Sequence, residues 1–208
     1  MLYVQYGCAF SAPTGWINFD SSPTLRFERF PLFGKFYTKN SSRFPETVRY
    51  GDVVAGLPVD DGACQGVYAS HVLEHLSLDD CRTALRETLR ILTPGGIFRL
   101  VVPDLRVYAE RYVAAVRDGD GDASIRFLEG TGLGVRSRPR TPMGLAQRLM
   151  GSSEHQWMWD ESSLRLELER TGFATVRLAY LGDCEDTMFA AAESPDRFVD
   201  ACALEARR

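Results

Sequence analysis

The sequence predicts an α/β fold: a Rossmann-like, doubly wound and mostly parallel sheet that ends in an antiparallel strand pair. Short β-rich apolar runs alternate with segments of helical periodicity, and this alternation is typical of parallel sheets with helices on both faces. Turn residues separate the runs, most clearly at Pro94, Gly95 and Gly96. The length of 208 residues suits one domain, residues 1–208.

Four apolar runs in the first half of the chain are predicted to be buried strands. Each is short, rich in β-branched or aromatic residues, and bounded by a glycine or a polar residue. They are residues 2–6, 16–19, 66–70 and 97–102. The carboxyl ends of parallel strands meet at one edge of a sheet, so the residues that follow these runs are the first candidates for a ligand site.

Three segments carry the signals of helices. Residues 78–92 place their apolar side chains on one face, and Ser77 with Asp80 has the spacing of a capping box. Asp160 is expected to cap a later helix that Gly172 ends. Between these two, Asp104 is expected to cap a helix with the following residues on its buried side: Leu105, Tyr108, Tyr112 and Val116.

The end of the chain is predicted to form the antiparallel pair, with strands at residues 173–180 and 187–192. Residues 119–159 break the alternation, because glycines and prolines are scattered among short apolar stretches. A loop this long inside a compact domain is usually functional or disordered. We interpret it as a cap inserted beside the active site, with one short helix near residues 143–150.

Composition and charge narrow the class of protein. The chain has 45% hydrophobic and 25% charged residues, which is ordinary for a globular protein. It has no apolar run near the roughly 18 residues of a membrane span. Its net charge of −4 gives no general attraction to nucleic acid. We therefore expect a soluble protein with no transmembrane segment, and we do not expect nucleic acid as a partner.

Two observations favour the cytoplasm. The start of the chain has no basic segment followed by a long apolar one, so it does not resemble a secretory signal. The five cysteines contain no CxxC pair and are odd in number, which argues against a disulfide framework or a thiolate zinc site. A reducing compartment fits this cysteine usage best.

Polar or flexible residues follow the predicted strands, where ligands bind in open α/β sheets. Gly7 would let the backbone approach a ligand closely. Asp20 suits hydrogen bonds to ribose hydroxyls, and Asp52 could accept one from an adenine amino group. Ser70 and Asp104 close the next two strands. Each residue also suits a turn or a helix cap, and it is their joint order that indicates a site.

The same stretches resemble the class I methyltransferases that depend on S-adenosyl-L-methionine (SAM), in particular the methyltransferase type 11-like group. The matching segments are residues 4–10 (VQYGCAF), 15–20 (GWINFD), 51–52, 57–58, 67–76 (VYASHVLEHL), 92–96 (LTPGG) and, more weakly, 155–160 (HQWMWD). The resemblance implies SAM as the cofactor. It also implies the residues that bind the cofactor: Gly7, Cys8, Asp20, Asp52, Val53 and Ser70.

Three features depart from that family's pattern. The glycine-rich loop of the family usually has a second glycine where this chain has Ala9, whose methyl group could crowd the methionine end of the cofactor. Residues 8–15 are too few for the helix that normally joins two parallel strands, so none is expected there. The chain also begins directly at the first strand, so the N-terminal helix that covers the cofactor in many relatives is not expected here. Ala9 and this missing cover motivate an alternative function, a non-catalytic or degenerate methyltransferase-like subunit that assists a partner.

The predicted reaction is methyl transfer from SAM to an oxygen, in preference to a nitrogen, of a small molecule or sugar. A small molecule or a glycan is therefore the expected acceptor. An imidazole with a pKa near neutrality can take a proton from a hydroxyl. His71 and His155 are the predicted catalytic residues, and a homodimer is among the assemblies that the sequence leaves open.

Residues 71–75 (HVLEH) raise the question of a metal. If a helix began near Ser70, His71, Glu74 and His75 would share one face, and His155 could meet them from the cap. The segment also matches the HxxEH pattern of inverted zinc proteases, a remote alternative because that pattern fixes only three residues. A bound metal here would be zinc or manganese rather than magnesium. Glu74 and His75 can instead fix the start of the helix by hydrogen bonding, and we expect this site to hold no metal.

Overall fold

The computed structural model describes residues 1–30, 42–137, 141 and 154–208, and these residues form a seven-stranded sheet. The strands are β1 (Leu2–Tyr6), β2 (Ile17–Asp20), β3 (Arg49–Tyr50), β4 (Cys64–Ser70), β5 (Leu92–Pro103), β6 (Thr175–Leu178) and β7 (Ala201–Arg207). In space their order is β3-β2-β1-β4-β5-β7-β6.

The sheet is mostly parallel. β1 pairs with β2 and β4, β2 pairs with β3, and β4 pairs with β5, all in the parallel sense. β7 is antiparallel to both β5 and β6. The predicted Rossmann-like sheet with a terminal antiparallel pair is therefore confirmed.

Five α-helices accompany the sheet in the described residues. They are α1 (Pro23–Glu28), α2 (Leu78–Ile91), α3 (Leu105–Arg117), α4 (Ala123–Gly130) and α5 (Glu161–Thr171). The predicted caps of α2 and α5 are present. Ser77 Oγ accepts a hydrogen bond from the Asp80 N–H at 3.3 Å, and Asp160 forms a capping box with Ser163. Gly172 ends α5 with a φ of 108°, in the left-handed region that favours glycine.

One face of the sheet carries the main apolar core. Leu85 of α2 and Leu164 and Leu168 of α5 are buried in the same cluster as Val67 and Phe98 of the central strands. α2 and α5 also contact each other, so both helices cover this face. Burying an aliphatic or aromatic side chain of this size contributes about 1.5–3 kcal/mol, and the helices are held chiefly by this apolar packing.

The opposite face is closed by aromatic side chains and a 3-10 helix. Trp16, Tyr68 and Phe189 are buried there. The rings of Trp16 and Phe189 meet edge to face, with centroids 5.3 Å apart. Phe189 belongs to the 3-10 helix Thr187–Ala191. The charged side chain of Arg99 is buried on the same face.

The prediction of a strand at residues 187–192 is wrong. These residues form the 3-10 helix, which begins where Asp186 Oδ1 accepts a hydrogen bond from the Met188 N–H at 3.0 Å. The strand that pairs with β6 is β7, much closer to the end of the chain. Its sequence, ACALEAR, consists mainly of good helix formers, but pairing with β5 along its whole length overrides that local preference.

The buried side predicted for the helix after Asp104 is also wrong. Asp104 caps α3 as predicted, but none of the helix residues is buried. Leu105 and Tyr108 are half-buried, whereas Tyr112 and Val116 are 37% and 51% exposed. Among the described residues, α3 packs mainly against α4. The apolar periodicity of α3 therefore does not face the core.

The connection between β1 and β2 contains no helix, as its length predicted. It passes through two turns, in which the Ser11 N–H donates to the Cys8 carbonyl oxygen at 2.9 Å and the Trp16 N–H donates to the Pro13 carbonyl oxygen at 3.4 Å. Trp16 then covers the sheet next to the turn, where a helix would normally lie.

The predicted cap at residues 119–159 is described only in part. It contains α4, and it returns to the sheet at Trp159, which forms a bridge with Asp104. The helix predicted near residues 143–150 lies outside the described residues. The cap and the single-domain organisation of residues 1–208 stay predictions. No helix in the described part of the chain is long and apolar enough to cross a membrane.

Candidate active site

The carboxyl ends of β1 and β4 form the centre of the candidate site. The strand order runs β3-β2-β1 on one side and β4-β5 on the other, so it reverses between these two neighbours. Ligands of open α/β sheets bind outside the strand ends at such a reversal. Gly7, Ser70 and His71 lie at the ends of these two strands. Three of the predicted site residues therefore meet at one place.

Gly7 occupies a backbone position that only glycine fits. Its φ is 63°, and a Cβ placed on it would lie 2.3 Å from Cγ2 of Val72. A side chain at residue 7 would therefore push apart the loops that follow β1 and β4. A ligand was predicted to approach the backbone of Gly7 closely, and in this structure the side chain of Val72 lies there.

Two residues other than glycine share the left-handed backbone in this region. Ala9 has a φ of 47° and His71 a φ of 54°. This conformation costs such a residue about 1–2 kcal/mol, and strain of this kind gathers at functional sites. Ala9 thus has the left-handed backbone that favours glycine, although it carries a methyl group.

Asp20 ties together the loops after β1 and β2. Its Oδ2 accepts a hydrogen bond from the Ala9 N–H at 2.9 Å, and its Oδ1 accepts one from the Ser22 N–H at 2.8 Å. Each oxygen has a further lone pair, because a carboxylate offers about four acceptor sites. Asp20 can therefore hold its own loops and also accept hydrogen bonds from two ribose hydroxyls.

Asp52 and Val53 lie just after β3, next to Asp20. The Gly51 N–H donates to the Asp20 carbonyl oxygen at 3.2 Å, and Asp52 Oδ1 accepts from the Val54 N–H at 2.9 Å. Asp52 Oδ2 accepts no hydrogen bond from the described residues. Val53 is buried in the main apolar core. The pair can offer an adenine one carboxylate oxygen and the edge of an apolar wall.

Cys8 differs from the other predicted cofactor residues because its side chain is buried in a small separate cluster. Leu25, Phe44 and Val48 share that cluster. Burial, and then the nearby Asp20 carboxylate, raise the pKa of the Cys8 thiol to about 12. The thiol therefore stays protonated near neutral pH, and only the backbone of Cys8 is available to a ligand.

Ser70 ends β4 with a buried hydroxyl close to that of Tyr68, and the two make no hydrogen bond of regular geometry with each other or with another described residue. Three other buried atoms in the same condition belong to neighbouring residues of β1, β2 and β4: Gln5 Oε1, Asn18 Oδ1 and Tyr68 OH. Buried polar groups normally find partners. The Ser70 hydroxyl and the remaining lone pairs of Asp20 fit a nucleoside cofactor, which carries both donors and acceptors.

His71 is engaged at both ring nitrogens. Its Nε2 donates to the Arg197 carbonyl oxygen at 2.9 Å, and its Nδ1 lies 3.4 Å from Oε1 of Glu74. Burial opposes charge on the ring, but the Glu74 carboxylate and the Arg197 carbonyl raise the pKa of His71 above its ordinary value. A ring with a partner at each nitrogen is better suited to orienting a ligand than to removing a proton.

His155 meets Glu74 and His75 rather than His71. One potential ligand atom from each of Glu74, His75 and His155 lies within 4.8 Å of the others. Glu74 is fully buried, and neither of its carboxylate oxygens has a hydrogen-bond partner in the described parts of the chain. All three histidines of the sequence thus gather around one carboxylate.

Main-chain hydrogen bonds hold residues 154–157 against the turn that carries Glu74. The N–H groups of Gln156 and Trp157 donate to the Glu74 carbonyl oxygen at 2.7 and 3.1 Å. The side-chain amide of Gln156 donates to the His75 carbonyl oxygen at 2.8 Å. The two segments are far apart in sequence, and these bonds fix the position of His155 beside Glu74.

The expectation that a helix begins near Ser70 is wrong. The chain makes a 3-10 turn at Leu73–His75, and α2 begins only at Leu78. No side chain caps this turn, so Glu74 does not fix a helix start. The meeting of His155 with Glu74 and His75, which the sequence analysis allowed for, is present. The signal for it in the sequence is a carboxylate within the apolar stretch VLEHL, where a buried charge needs a partner.

A family model described as a methyltransferase domain matches residues 9–178 of this chain. The match spans more than half of the sequence, and it includes Asp20, Asp52, Ser70 and the three histidines. No curated protein matches the chain significantly.

Solved structures share the fold at low sequence identity. A SAM-dependent methyltransferase from Mesorhizobium loti is 14% identical, with a TM-score of 0.50 over 100% of this chain and 90% of that chain. A SAM-dependent methyltransferase from Thermotoga maritima, described as a possible histamine N-methyltransferase, is 14% identical, with a TM-score of 0.50 over 99% of this chain and 81% of that chain. PigF with SAH is 15% identical, with a TM-score of 0.51, and this chain spans 50% of its length.

Proposed function

Since the chain belongs to the methyltransferase domain family, with S-adenosyl-L-methionine as its cofactor, we propose that it transfers a methyl group to an oxygen of a small molecule or sugar. A nitrogen acceptor is the less favoured form of this proposal. The observation that carries it is that Gly7 and Ser70 meet where the strand order reverses, with Asp20 at the end of the neighbouring strand β2 and bonded to the Ala9 N–H. Open α/β sheets bind nucleotide cofactors at such a reversal, with a glycine turn and an acidic residue for the ribose.

The cofactor would be held by residues of three neighbouring loops. Asp20 would accept hydrogen bonds from the ribose hydroxyls, while Asp52 and Val53 would hold the adenine. Gly7 and the backbone of Cys8 would lie along the methionine end. When bound, the cofactor supplies an electrophilic methyl group on a sulfonium, so the protein has to align the acceptor, exclude water and accept a proton.

His71 and His155 are proposed to act on the acceptor in different ways. His155 Nδ1 faces the Thr131 carbonyl oxygen at 2.7 Å. A carbonyl only accepts hydrogen bonds, so Nδ1 carries the proton and Nε2 has a lone pair that can take one from a hydroxyl. His71, engaged at both nitrogens, would orient the acceptor.

Calorimetry with SAM and its demethylated product tests the cofactor site. Asp20→Ala is expected to weaken binding at least about tenfold, because one hydrogen bond to a charged group contributes roughly 1.5–3 kcal/mol. Asp186→Ala is the matched control, since Asp186 also accepts two hydrogen bonds, from the Met188 N–H and the Tyr3 hydroxyl. Its affinity should stay unchanged. Equal affinities for both variants would mean that the ribose lies elsewhere, and no binding at millimolar ligand would contradict the proposal.

Turnover measurements on hydroxylated and amino acceptors test the histidines. His155→Ala is expected to slow transfer to hydroxyls by about 10²–10⁴-fold, the usual contribution of a general base. His71→Ala is expected to raise the acceptor KM more than it lowers kcat, because an orienting group acts mainly through binding. Normal rates in both variants would remove the histidines from the mechanism.

The second candidate is a non-catalytic or degenerate subunit that assists a partner. It is favoured by Val72, whose side chain fills the space beside Gly7 where a ligand would approach the backbone. Copurification with a stoichiometric partner and full function after Asp20→Ala would support this candidate. The zinc hydrolase alternative gains no support from the geometry, because His71 lies outside any helix and its Nε2 is bonded to Arg197.

We also propose a cytoplasmic location. All five cysteines fall within the described residues, and each is a free thiol. Proteins of oxidising compartments commonly pair their cysteines, so unpaired thiols support a reducing compartment. Fractionation of cells that express the tagged protein would test this proposal.

A further inference from the structure

Glu74 carries a buried carboxylate whose charge is poorly balanced. Its side chain is fully buried, and both carboxylate oxygens lack a donor among the described residues. Burying an ionised carboxylate alone is so costly that such groups are normally paired with a cation or coordinate a metal. A positive charge is therefore expected to complete this site.

The hydrogen bonds of two neighbouring histidines leave lone pairs that can bind a metal. His155 Nδ1 faces the Thr131 carbonyl oxygen at 2.7 Å, and His75 Nδ1 faces the Glu154 carbonyl oxygen at 3.2 Å. Because a carbonyl only accepts, each Nδ1 carries a proton and each Nε2 carries a lone pair. Ligating histidines in metal sites are oriented in this way, by a hydrogen bond from the second ring nitrogen.

The residues at the end of α4 hold the ring of His155 in one orientation. Gly132 has a φ of 67°, and a Cβ placed on it would lie 2.8 Å from Nδ1 of His155. The preceding residue, Thr131, is fully buried, and its carbonyl receives the ring hydrogen bond. The absence of a side chain at residue 132 therefore lets the imidazole lie against the backbone in one orientation.

We propose that Glu74, His75 and His155 bind a divalent transition-metal ion, and that zinc is the ion that suits them best. Two imidazoles and one carboxylate form a zinc donor set that leaves a fourth position open. Magnesium and calcium prefer oxygen ligands and fit two nitrogens poorly. This reverses the expectation of a metal-free site, which relied on hydrogen bonds that the Glu74 carboxylate does not make with the described residues.

The spacing of the ligand atoms suits this ion after a small movement. One candidate ligand atom from each residue lies within 4.8 Å of the other two, and tetrahedral zinc bonds of about 2.0–2.2 Å require these atoms to close by up to roughly 1.4 Å. The rings of His75 and His155 are only half-buried. An ion can therefore reach the buried carboxylate from the side of the imidazoles.

The competing explanation is that His71 alone balances the charge of Glu74. Its Nδ1 lies 3.4 Å from Glu74 Oε1, without hydrogen-bond geometry. A protonated His71 would then make a metal unnecessary. This explanation accounts for neither Glu74 Oε2 nor the Nε2 lone pairs of His75 and His155, and the metal accounts for all of them.

The inference does not rest on the proposed methyl transfer. Zinc binding is measured in protein that holds no SAM, so failure of either proposal leaves the other standing. Both proposals use Nε2 of His155, and the two roles exclude each other, because this nitrogen cannot remove a proton while it is bound to a metal. In zinc-loaded protein, His155 would act on the acceptor only through the ion.

Calorimetric titration with zinc, on protein stripped of metal by a chelator, tests the site. We expect one zinc ion for each chain. Glu74→Gln and His155→Asn should each weaken binding more than about 100-fold, since loss of an outer hydrogen-bond partner alone costs about 10–100-fold. Cobalt(II) in place of zinc should give the visible absorption of a four- or five-coordinate ion in the native protein, and this absorption should be lost in both variants.

Asp79→Asn is the matched control, because it also removes one carboxylate but from a side chain that is 92% exposed. Its zinc affinity should equal that of the native protein. Gly132→Ala should weaken binding by displacing His155 while the ligands themselves are retained. Circular dichroism checks that each variant is folded. If Glu74→Gln does not fold, His155→Asn still tests the site, because His155 is only half-buried and its replacement disturbs the core less. No stoichiometric zinc, or native affinity in His155→Asn, would overturn the proposal.

Discussion

Two buried carboxylates, Glu205 in β7 and Glu74 after β4, differ in how the surrounding protein treats their charge. Glu205 Oε2 accepts hydrogen bonds from Arg99 at 2.8 Å and from Arg177 at 2.7 Å. The Glu74 carboxylate accepts none from the described residues. Both side chains are almost completely shielded from solvent. The two carboxylates are therefore buried to the same extent, and they differ in whether hydrogen-bond donors balance their charge.

The network around Arg99 is closed. Its guanidinium donates to Glu193, Asp183, Glu205 and the Tyr180 carbonyl oxygen over 2.7–3.0 Å. Such a network holds the second face of the sheet together and leaves little capacity for a ligand. At Glu74, by contrast, the carboxylate charge and the Nε2 lone pairs of His75 and His155 are available to a ligand. A buried charge thus indicates a site when its partners are missing, and burial alone does not indicate one.

The largest effect is expected when the closed network is broken. Arg99→Met should lower the free energy of unfolding by about 3–5 kcal/mol, because it leaves the carboxylates of Glu193 and Glu205 buried without their shared cation. Urea denaturation measures the change. Arg111→Met, which removes an arginine from an exposed pair with Asp200, should cost far less. Similar losses of stability in Arg99→Met and Arg111→Met would contradict the expected difference between the buried network and an exposed ion pair.

The next effect is the acid sensitivity of the same network. Burial by itself would raise the pKa of Glu205 and of Asp183, but Arg177 and Arg99 hold both below their ordinary values. The unfolded carboxyls titrate near pH 4. This contribution to stability is therefore complete above about pH 4–5 and is lost as the pH falls through the lowered folded values.

Glu205→Gln should remove part of that acid sensitivity. At neutral pH it should cost about 1.5–3 kcal/mol, the range for a hydrogen bond between charged groups. Urea midpoints at pH 7 and pH 3 should then differ less in the variant than in the native protein. An unchanged difference would show that Glu205 does not couple the network to pH.

The smallest effect is expected at Glu74. In metal-free buffer Glu74→Gln should change the free energy of unfolding by no more than about 1 kcal/mol, because no hydrogen bond is lost and a buried charge is removed. The comparison with Glu205→Gln under the same conditions sharpens the contrast between the two carboxylates. A loss as large as that of Glu205→Gln would mean that His71 already pairs fully with Glu74.

Most of the sheet was predictable because its elements carry local signals. Apolar runs closed by turn residues mark β1, β2, β4 and β5, and caps such as Ser77 and Asp160 mark α2 and α5. β7 was missed because its alanines, leucine and glutamate favour a helix, and its strand form depends on pairing with β5. The exposure of α3 was missed because periodicity predicts an apolar face without telling what covers it.

In the candidate site, too, residues with local sequence signals were predictable and those that depend on distant contacts were not. Asp20 was predictable as a site residue because it closes a strand, and its backbone partners Ala9 and Ser22 lie close in sequence. The sequence suggested that His155 could reach Glu74, but the exact position of its ring was not predictable, because it depends on Gly132 and on hydrogen bonds between distant segments. Arg99 interrupts an apolar strand and so signals a network, but its partner Glu205 lies in the strand that the sequence did not reveal.

The position of β7 has a consequence for the newly synthesised chain. β7 follows β6 in sequence but lies between β6 and β5 in space. While the ribosome is still making residues 201–207, the five strands from β3 to β5 can already assemble, and β6 has no neighbour to join. During that interval β5 presents an open edge, and Arg99 is without Glu205. Because unpaired strand edges promote aggregation, the newly made chain is most vulnerable before β7 covers the edge of β5.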